Sequence, residues 1–175
     1  MKKIYLCLLV LILNIGCEKK DPISLTLPSE LNFEGTIQSC SDFSVSQALN
    51  SENHGVWINI HGSGREELKL TDEFKTFEIP NIDLKTKIYL FDSMAGASFC
   101  TDVISDNEPK IIGVWNAISG NIKIKISDLL ETENETYYRI TLILENVEYL
   151  NVDTGEKRII ENFTINEALA GWYPG

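Results

Sequence analysis

The chain has 175 residues, with 15 Lys and Arg against 26 Asp and Glu, a net charge of −11. That balance argues against nucleic acid as a partner, because phosphate backbones demand a basic footprint. It also argues against a polybasic contact with anionic lipid, and it favours solubility.

The first seventeen residues set the compartment. Lys2 and Lys3 form a basic start, and Ile4 to Ile15 follow as an almost wholly apolar run. About 20 apolar residues are needed to cross ~30 Å of hydrocarbon, so the run is too short to remain as a span. Its layout is that of a signal peptide. It ends in Asn14-Ile15-Gly16-Cys17. This resembles the lipobox of bacterial membrane lipoproteins, whose usual form is Leu-Ala/Ser-Gly/Ala-Cys; here Leu13 stands one place early. The resemblance implies a signal peptide over residues 1–16, Cys17 as the lipid attachment site and mature N-terminus, and a membrane anchor in the cell envelope. Two acyl chains, at about 0.8 kcal/mol per buried CH₂, anchor a domain stably. Glu18-Lys19-Lys20-Asp21 resembles the export signal of Bacteroidetes-type surface lipoproteins, which implies an outer-membrane lipoprotein, periplasmic or surface-exposed.

Removing the signal takes Lys2 and Lys3 away and leaves 13 basic against 26 acidic residues. It also changes the cysteine arithmetic. Cys7 leaves and Cys17 is acylated, so Cys40 and Cys100 remain. In an oxidising compartment an even pair reads as one disulfide. Closing a loop of that length stabilises by roughly 4 kcal/mol in the chain-entropy model.

Residues 17–30 carry Pro22 and Pro28 and read as a lipidated, extended tether. From Leu31 to Gly175 the apolar segments are short, alternating and rich in β-branched or aromatic residues, which predicts strands. Leu31–Gly35 opens the series. Phe43 and Val45 alternate within Ser41–Gln47, where a helix over Ser41–Leu49 is the weaker alternative. Val56, Ile58 and Ile60 alternate with Trp57, Asn59 and His61. Leu68 and Leu70 form a short pair. Phe74–Ile79 stops at Pro80. Lys87–Phe91 has no polar face and is expected to be central. Ala97–Val103 and Ile111–Trp115 follow, and Ile122, Ile124 and Ile126 make a clean one-sided strand.

Tyr137–Leu150 is the longest β signal. Tyr138, Ile140, Leu142 and Leu144 share one parity, whereas Val147 and Tyr149 take the other. A one-residue slip turns every side chain over, so a bulge is expected near Glu145-Asn146. Asn151–Gly155 predicts a hairpin turn with Gly155 at positive φ. Ile159, Glu161, Phe163 and Ile165 form the return strand, and Glu167–Ala170 a helical turn. Nine or ten such strands predict an all-β fold, an antiparallel β-sandwich of immunoglobulin-like or jelly-roll type, with a closed β-barrel as runner-up. The segments around Cys40-Phe43-Val45, Phe99-Cys100-Thr101, Gly120–Ile124 and Leu144–Val147 look like a pattern in small uncharacterised bacterial lipoproteins, which implies a shared fold and no activity.

Catalytic patterns are weak. Ser63 lies in His61-Gly62-Ser63-Gly64-Arg65, where a histidine replaces the first glycine of a nucleophile elbow. His54 and His61 lack metal-site spacing. The acidic groups Glu131/Glu133/Glu135 and Asp102/Asp106/Glu108 do not match a calcium loop. No metal, no cofactor and no catalytic residue is assigned. Trp57, Trp115, Trp172 and Tyr173 are the candidate ligand-binding residues, since aromatic faces with polar neighbours hold sugars; the alternative is that Trp57 and Trp115 pack in the second core face and Trp172-Tyr173 covers the sandwich end. The expected function is a non-catalytic envelope module binding a glycan or protein partner. The alternatives are a structural lipoprotein within an envelope complex and a carboxylate-based hydrolase. Cys17→Ser is expected to move the protein from the membrane pellet to the soluble fraction on ultracentrifugation.

Overall fold

In the computed structural model the described residues are 27–40, 43–50, 55–93, 99, 108–131 and 136–172. They form an all-β domain of eight strands: β1 (Ile37–Cys40), β2 (Ser44–Ala48), β3 (Val56–Gly62), β4 (Lys75–Ile79), β5 (Leu84–Phe91), β6 (Ile111–Glu131), β7 (Thr136–Leu150) and β8 (Lys157–Trp172). All pairings are antiparallel, in the order β1-β2-β3-β5-β6-β7-β8, and β4 also pairs with β6. The sheet curls into a half-barrel, so that edge strands β1 and β8 come within 8 Å of each other between Cα atoms. An antiparallel sheet twists and curls readily. Here the curl wraps one face around a core drawn from every strand.

The gap between the edges is lined from the N-terminal side. Phe33 packs on Phe163 with ring centroids 5.5 Å apart. Arg158 donates to the Leu27 carbonyl at 3.3 Å and pairs with Glu156. The backbone of Glu34 and Gly35 continues the β1 ladder by donating to the carbonyls of Leu49 and Ala48.

Several expectations change. Leu31–Gly35 is not a regular strand; the first begins at Ile37. The helical alternative over Ser41–Leu49 gives way to β2. Leu68 and Leu70 do not form a strand pair. Arg65–Leu68 is one helical turn, and Lys69 at φ 51 redirects the chain so that both leucines are buried. Glu167–Ala170 is strand, not helix. Glu167 at φ 55 marks a bulge where the β7–β8 register shifts between Ile140 and Leu142. The Ile111–Trp115 and Ile122–Ile126 segments are two ends of one 21-residue strand. Cys40, the one cysteine among the described residues, is disulfide-bonded. Cys100, the partner expected for it, lies outside the described residues. The contacts that tie Phe99 to β1 there are its N–H donated to Gln38 Oε1 at 3.1 Å and its carbonyl 3.2 Å from Cys40 Sγ.

The reversal of parity expected near Glu145-Asn146 is present, and β7 shares it with its neighbours. Asn146 has φ 50, and Gly120 beside it in β6 has φ 110. Ile122, Ile124 and Ile126 are buried on one side of Gly120, and the oddly numbered Trp115 on the other. In β7 the buried set passes from Tyr138, Ile140, Leu142 and Leu144 to Val147 and Tyr149. The β6–β7 register is irregular between Ala117 and Asn121. Both strands turn over together, so their apolar side chains stay on the concave face. A Cβ on Gly120 would lie 2.6 Å from both the Asn146 carbonyl oxygen and Val147 Cα.

The β7–β8 turn follows its expected chemistry. Asn151 Oδ1 accepts N–H groups from Asp153 and Thr154 at 2.9 and 3.1 Å, and Gly155 has φ 73. Nothing lies within 4 Å of a Cβ placed on Gly155. The two glycines therefore separate dihedral strain from collision. Gly155→Ala is expected to cost about 1 kcal/mol for the left-handed backbone alone. Gly120→Ala adds a clash with backbone and is expected to cost about 3 kcal/mol. Urea unfolding of both variants measures the difference.

Candidate functional site: a splay between two strands

β4 and β5 run in the same direction along one edge of β6. β4 pairs from Lys75 opposite Ile124 to Ile79 opposite Gly120. β5 pairs from Lys87 opposite Asn116 onward. Residues 80–86 therefore cover the same length of β6 as residues 117–119. The surplus bows outward. Its turn is closed by Asn81 Oδ1, which accepts from the Asp83 and Leu84 N–H groups at 2.9 and 3.1 Å. Leu84, Lys85 and Thr86 keep their pairing to Gly62, His61 and Ile60 of β3. They leave β6, and Ala117, Ile118 and Ser119 have no ladder partner on that edge among the described residues.

The splay encloses a cleft of about 210 Å³ lined by Ile79, Pro80, Asn81, Leu84, Lys85, Thr86, Lys87, Asn116 and Ala117. At about 30 Å³ per water molecule this is room for roughly seven. It is smaller than the 300–1,000 Å³ typical of drug-sized ligands. Ile79, Pro80, Leu84 and Ala117 make apolar walls. Lys85 is exposed and Lys87 half-buried. They are two apart on β5 and so project from the same face. At Thr86 the lining meets a buried polar pair, its hydroxyl 2.9 Å from the Tyr149 hydroxyl. Tyr149 lies opposite Ala117 across the β6–β7 ladder. Burial pushes the Tyr149 phenol well above its ordinary pKa, and the Thr86 hydrogen bond offsets only part of that. Burial also raises Tyr89.

The residues singled out from sequence are placed as follows. Trp57 is on the face opposite Val56, Ile58 and Ile60, as its parity implied, yet it is 1% exposed. Phe99 closes over it with ring centroids 5.5 Å apart, and Ala48, Phe91 and Tyr89 complete a small outer cluster. Trp115 is fully buried in the main core opposite Ile88. Gly113 leaves the space its ring fills, since a Cβ there would come within 2.8 Å of it. Neither indole presents an open face for stacking on a sugar. Trp172 ends β8, and Tyr173 and Cys17 lie outside the described residues. His61 is exposed on β3 opposite Ser44 and Lys85. Ser63 sits in a turn, its N–H donated to the Asp83 carbonyl at 3.0 Å. Asp102, Asp106, Glu133 and Glu135 lie outside the described residues. No group of three or more His, Cys, Asp or Glu able to hold a metal occurs among the described residues. No helix among them is long and apolar enough to cross a membrane.

Sequence reasoning missed the cleft. The one available signal was the change of buried parity between Phe77-Ile79 and Leu84-Thr86, with Pro80-Asn81 between them. No family model, curated protein or solved structure matches the chain.

The Thr86–Tyr149 pair supplies a pH test. The folded state keeps the phenol proton where the unfolded chain releases it, so above about pH 10 the folded state binds more protons. The stability that this provides is complete below that pH and is lost as pH rises. Tyr149→Phe is expected to flatten the fall in unfolding free energy between pH 9 and 11. Thr86→Val, which strands the phenol hydroxyl, is expected to cost about 1–3 kcal/mol at pH 7. Denaturant titrations at several pH values read both effects.

Proposed function

We propose that the chain is a lipid-anchored envelope lipoprotein whose β domain binds a small solute in the splay between β5 and β6 without transforming it. The cleft carries this reading. It is preformed, its walls are apolar, and it is bordered by a stretch of β6 edge, Ala117–Ser119, that has no ladder partner on that side among the described residues. That is the composition of a ligand pocket: an apolar enclosure with a few polar groups to orient the guest. The lining holds two lysines and two asparagines but no carboxylate or histidine to serve as a general acid or base. The anchoring half of the proposal rests on the Lys2-Lys3 start, the Ile4–Ile15 run and Cys17, and the outer-membrane location on the charged residues after it.

Of the two partner classes expected from sequence, a glycan stacked on tryptophan loses support from the burial of Trp57 and Trp115. A pocket of this size suits a small molecule better than a protein surface. We also read the fold as nearer to a barrel than to an immunoglobulin-like or jelly-roll sandwich, because all eight strands share one sheet whose edges approach each other.

The test is a thermal-shift screen of the full-length protein in non-ionic detergent against a chemically diverse set of small solutes. A ligand at a hundred times its Kd stabilises by about 2.7 kcal/mol. At least one solute is expected to raise Tm saturably and to be recovered unchanged. Ala117→Leu, which narrows the cleft, is expected to abolish the rise while keeping the far-ultraviolet circular dichroism. An equal rise in that variant would place binding elsewhere.

A further inference from the structure

We infer that the solute held in the splay is a small organic anion: a carboxylate on a compact apolar body. The inference rests on the cleft being the binding site and adds the chemistry of its guest. The chain as a whole repels anions, with 26 acidic residues and a net charge of −11. The cleft is the local exception, since its only charged lining residues are Lys85 and Lys87. Register extends this patch across the outer face. His61 lies beside Lys85, and Asn59 of β3 and Asn116 of β6 flank Lys87.

Other lysines of the sheet are already engaged. Lys123 pairs with Glu145 at 2.7 Å and Lys157 with Glu148 at 2.9 Å. Lys75 donates to the Leu68 carbonyl at 2.7 Å, and Lys125 lies 4.9 Å from the Phe74 ring centroid. Neither Lys85 nor Lys87 has a carboxylate partner among the described residues. Two cations held two residues apart beside an apolar slot, in an acidic protein, match a guest with one anionic end and one apolar end. A charge-assisted hydrogen bond to an ammonium is about twice as strong as a neutral one, and the open edge at Ala117–Ser119 can add backbone donors. The walls argue against a fully hydrated inorganic anion, because Ile79, Pro80, Leu84 and Ala117 gain only if they cover apolar surface. Since Lys85 is exposed, binding weakens as salt is raised.

The experiment titrates benzoate, benzamide and inorganic phosphate into the isotope-labelled full-length protein in non-ionic detergent, following the backbone amides of residues 116–119 by NMR. Benzoate is expected to shift them saturably, and benzamide and phosphate to bind at least tenfold more weakly. Lys85→Gln combined with Lys87→Gln is expected to remove the preference for benzoate over benzamide while leaving the amide spectrum otherwise intact. Benzamide binding as tightly as benzoate, or an unchanged preference in the double variant, would overturn the anionic end and leave the cleft standing. Phosphate matching benzoate would overturn the apolar end. If none of the three moves these amides while a solute from the thermal screen does, the anion assignment fails alone. If neither the probes nor any screened solute moves them, the cleft itself is not the site.

Discussion

The structure depends on keeping one face of a long, curled sheet apolar while its strands reverse parity. β6 and β7 are 21 and 15 residues long, and both hold buried side chains on either side of the Gly120–Asn146 level. Side chains alternate strictly, so an irregularity that adds a residue turns them over, and the apolar residues beyond it must take the opposite parity to stay on the concave face. The reversal falls along one line across the sheet. Gly120 and Asn146 take positive φ, and β4 hands over to β5 at the same level. In β8 the buried position moves from the even-numbered Ile160 to the odd-numbered Ile165. Only glycine fits at position 120, where Asn146 and Val147 leave no room for a Cβ.

The cleft is a product of that line. β6 and β7 correct their facing with little change in length. The strand beside them corrects it with a four-residue excess between Ile79 and Lys87, and the excess opens the ladder. The site and the fold thus share one cause. The buried Thr86–Tyr149 hydroxyl pair lies beside the Ala117–Ser119 stretch that β4 and β5 leave unpaired among the described residues, and its hydrogen bond links β5 to β7 there.

The two faces of the sheet are closed by different means. The concave face is covered by the curl itself and by Leu27 and Phe33 at the seam between β1 and β8. On the convex face, Trp57, Tyr89 and Phe91 share a patch beneath Phe99, with Phe99 fastened to Gln38. Buried aromatic clusters on both faces explain why tryptophans that look available for binding are spent on packing.

Much of the architecture is legible in local pattern. The alternation of Ile122, Ile124 and Ile126, the opposite parities of Tyr138–Leu144 and Val147–Tyr149, and Asn151–Gly155 as a turn are all readable, because period-two burial and turn chemistry are properties of neighbouring residues. The same holds for Trp57 facing away from Val56 and Ile58. What covers Trp57 is not legible, since Phe99 comes from 42 positions further on. Nor is the continuity of Ile111–Glu131 as one strand, because Gly120 reads locally as a break and only its fit against Asn146 makes it a hinge within the strand. The choice between stacked sheets and a single curled one depends on which strands pair across long separations. The cleft is the furthest from local pattern of all. It exists because seven residues span what three span on the facing strand, and such a mismatch is a property of two segments in register.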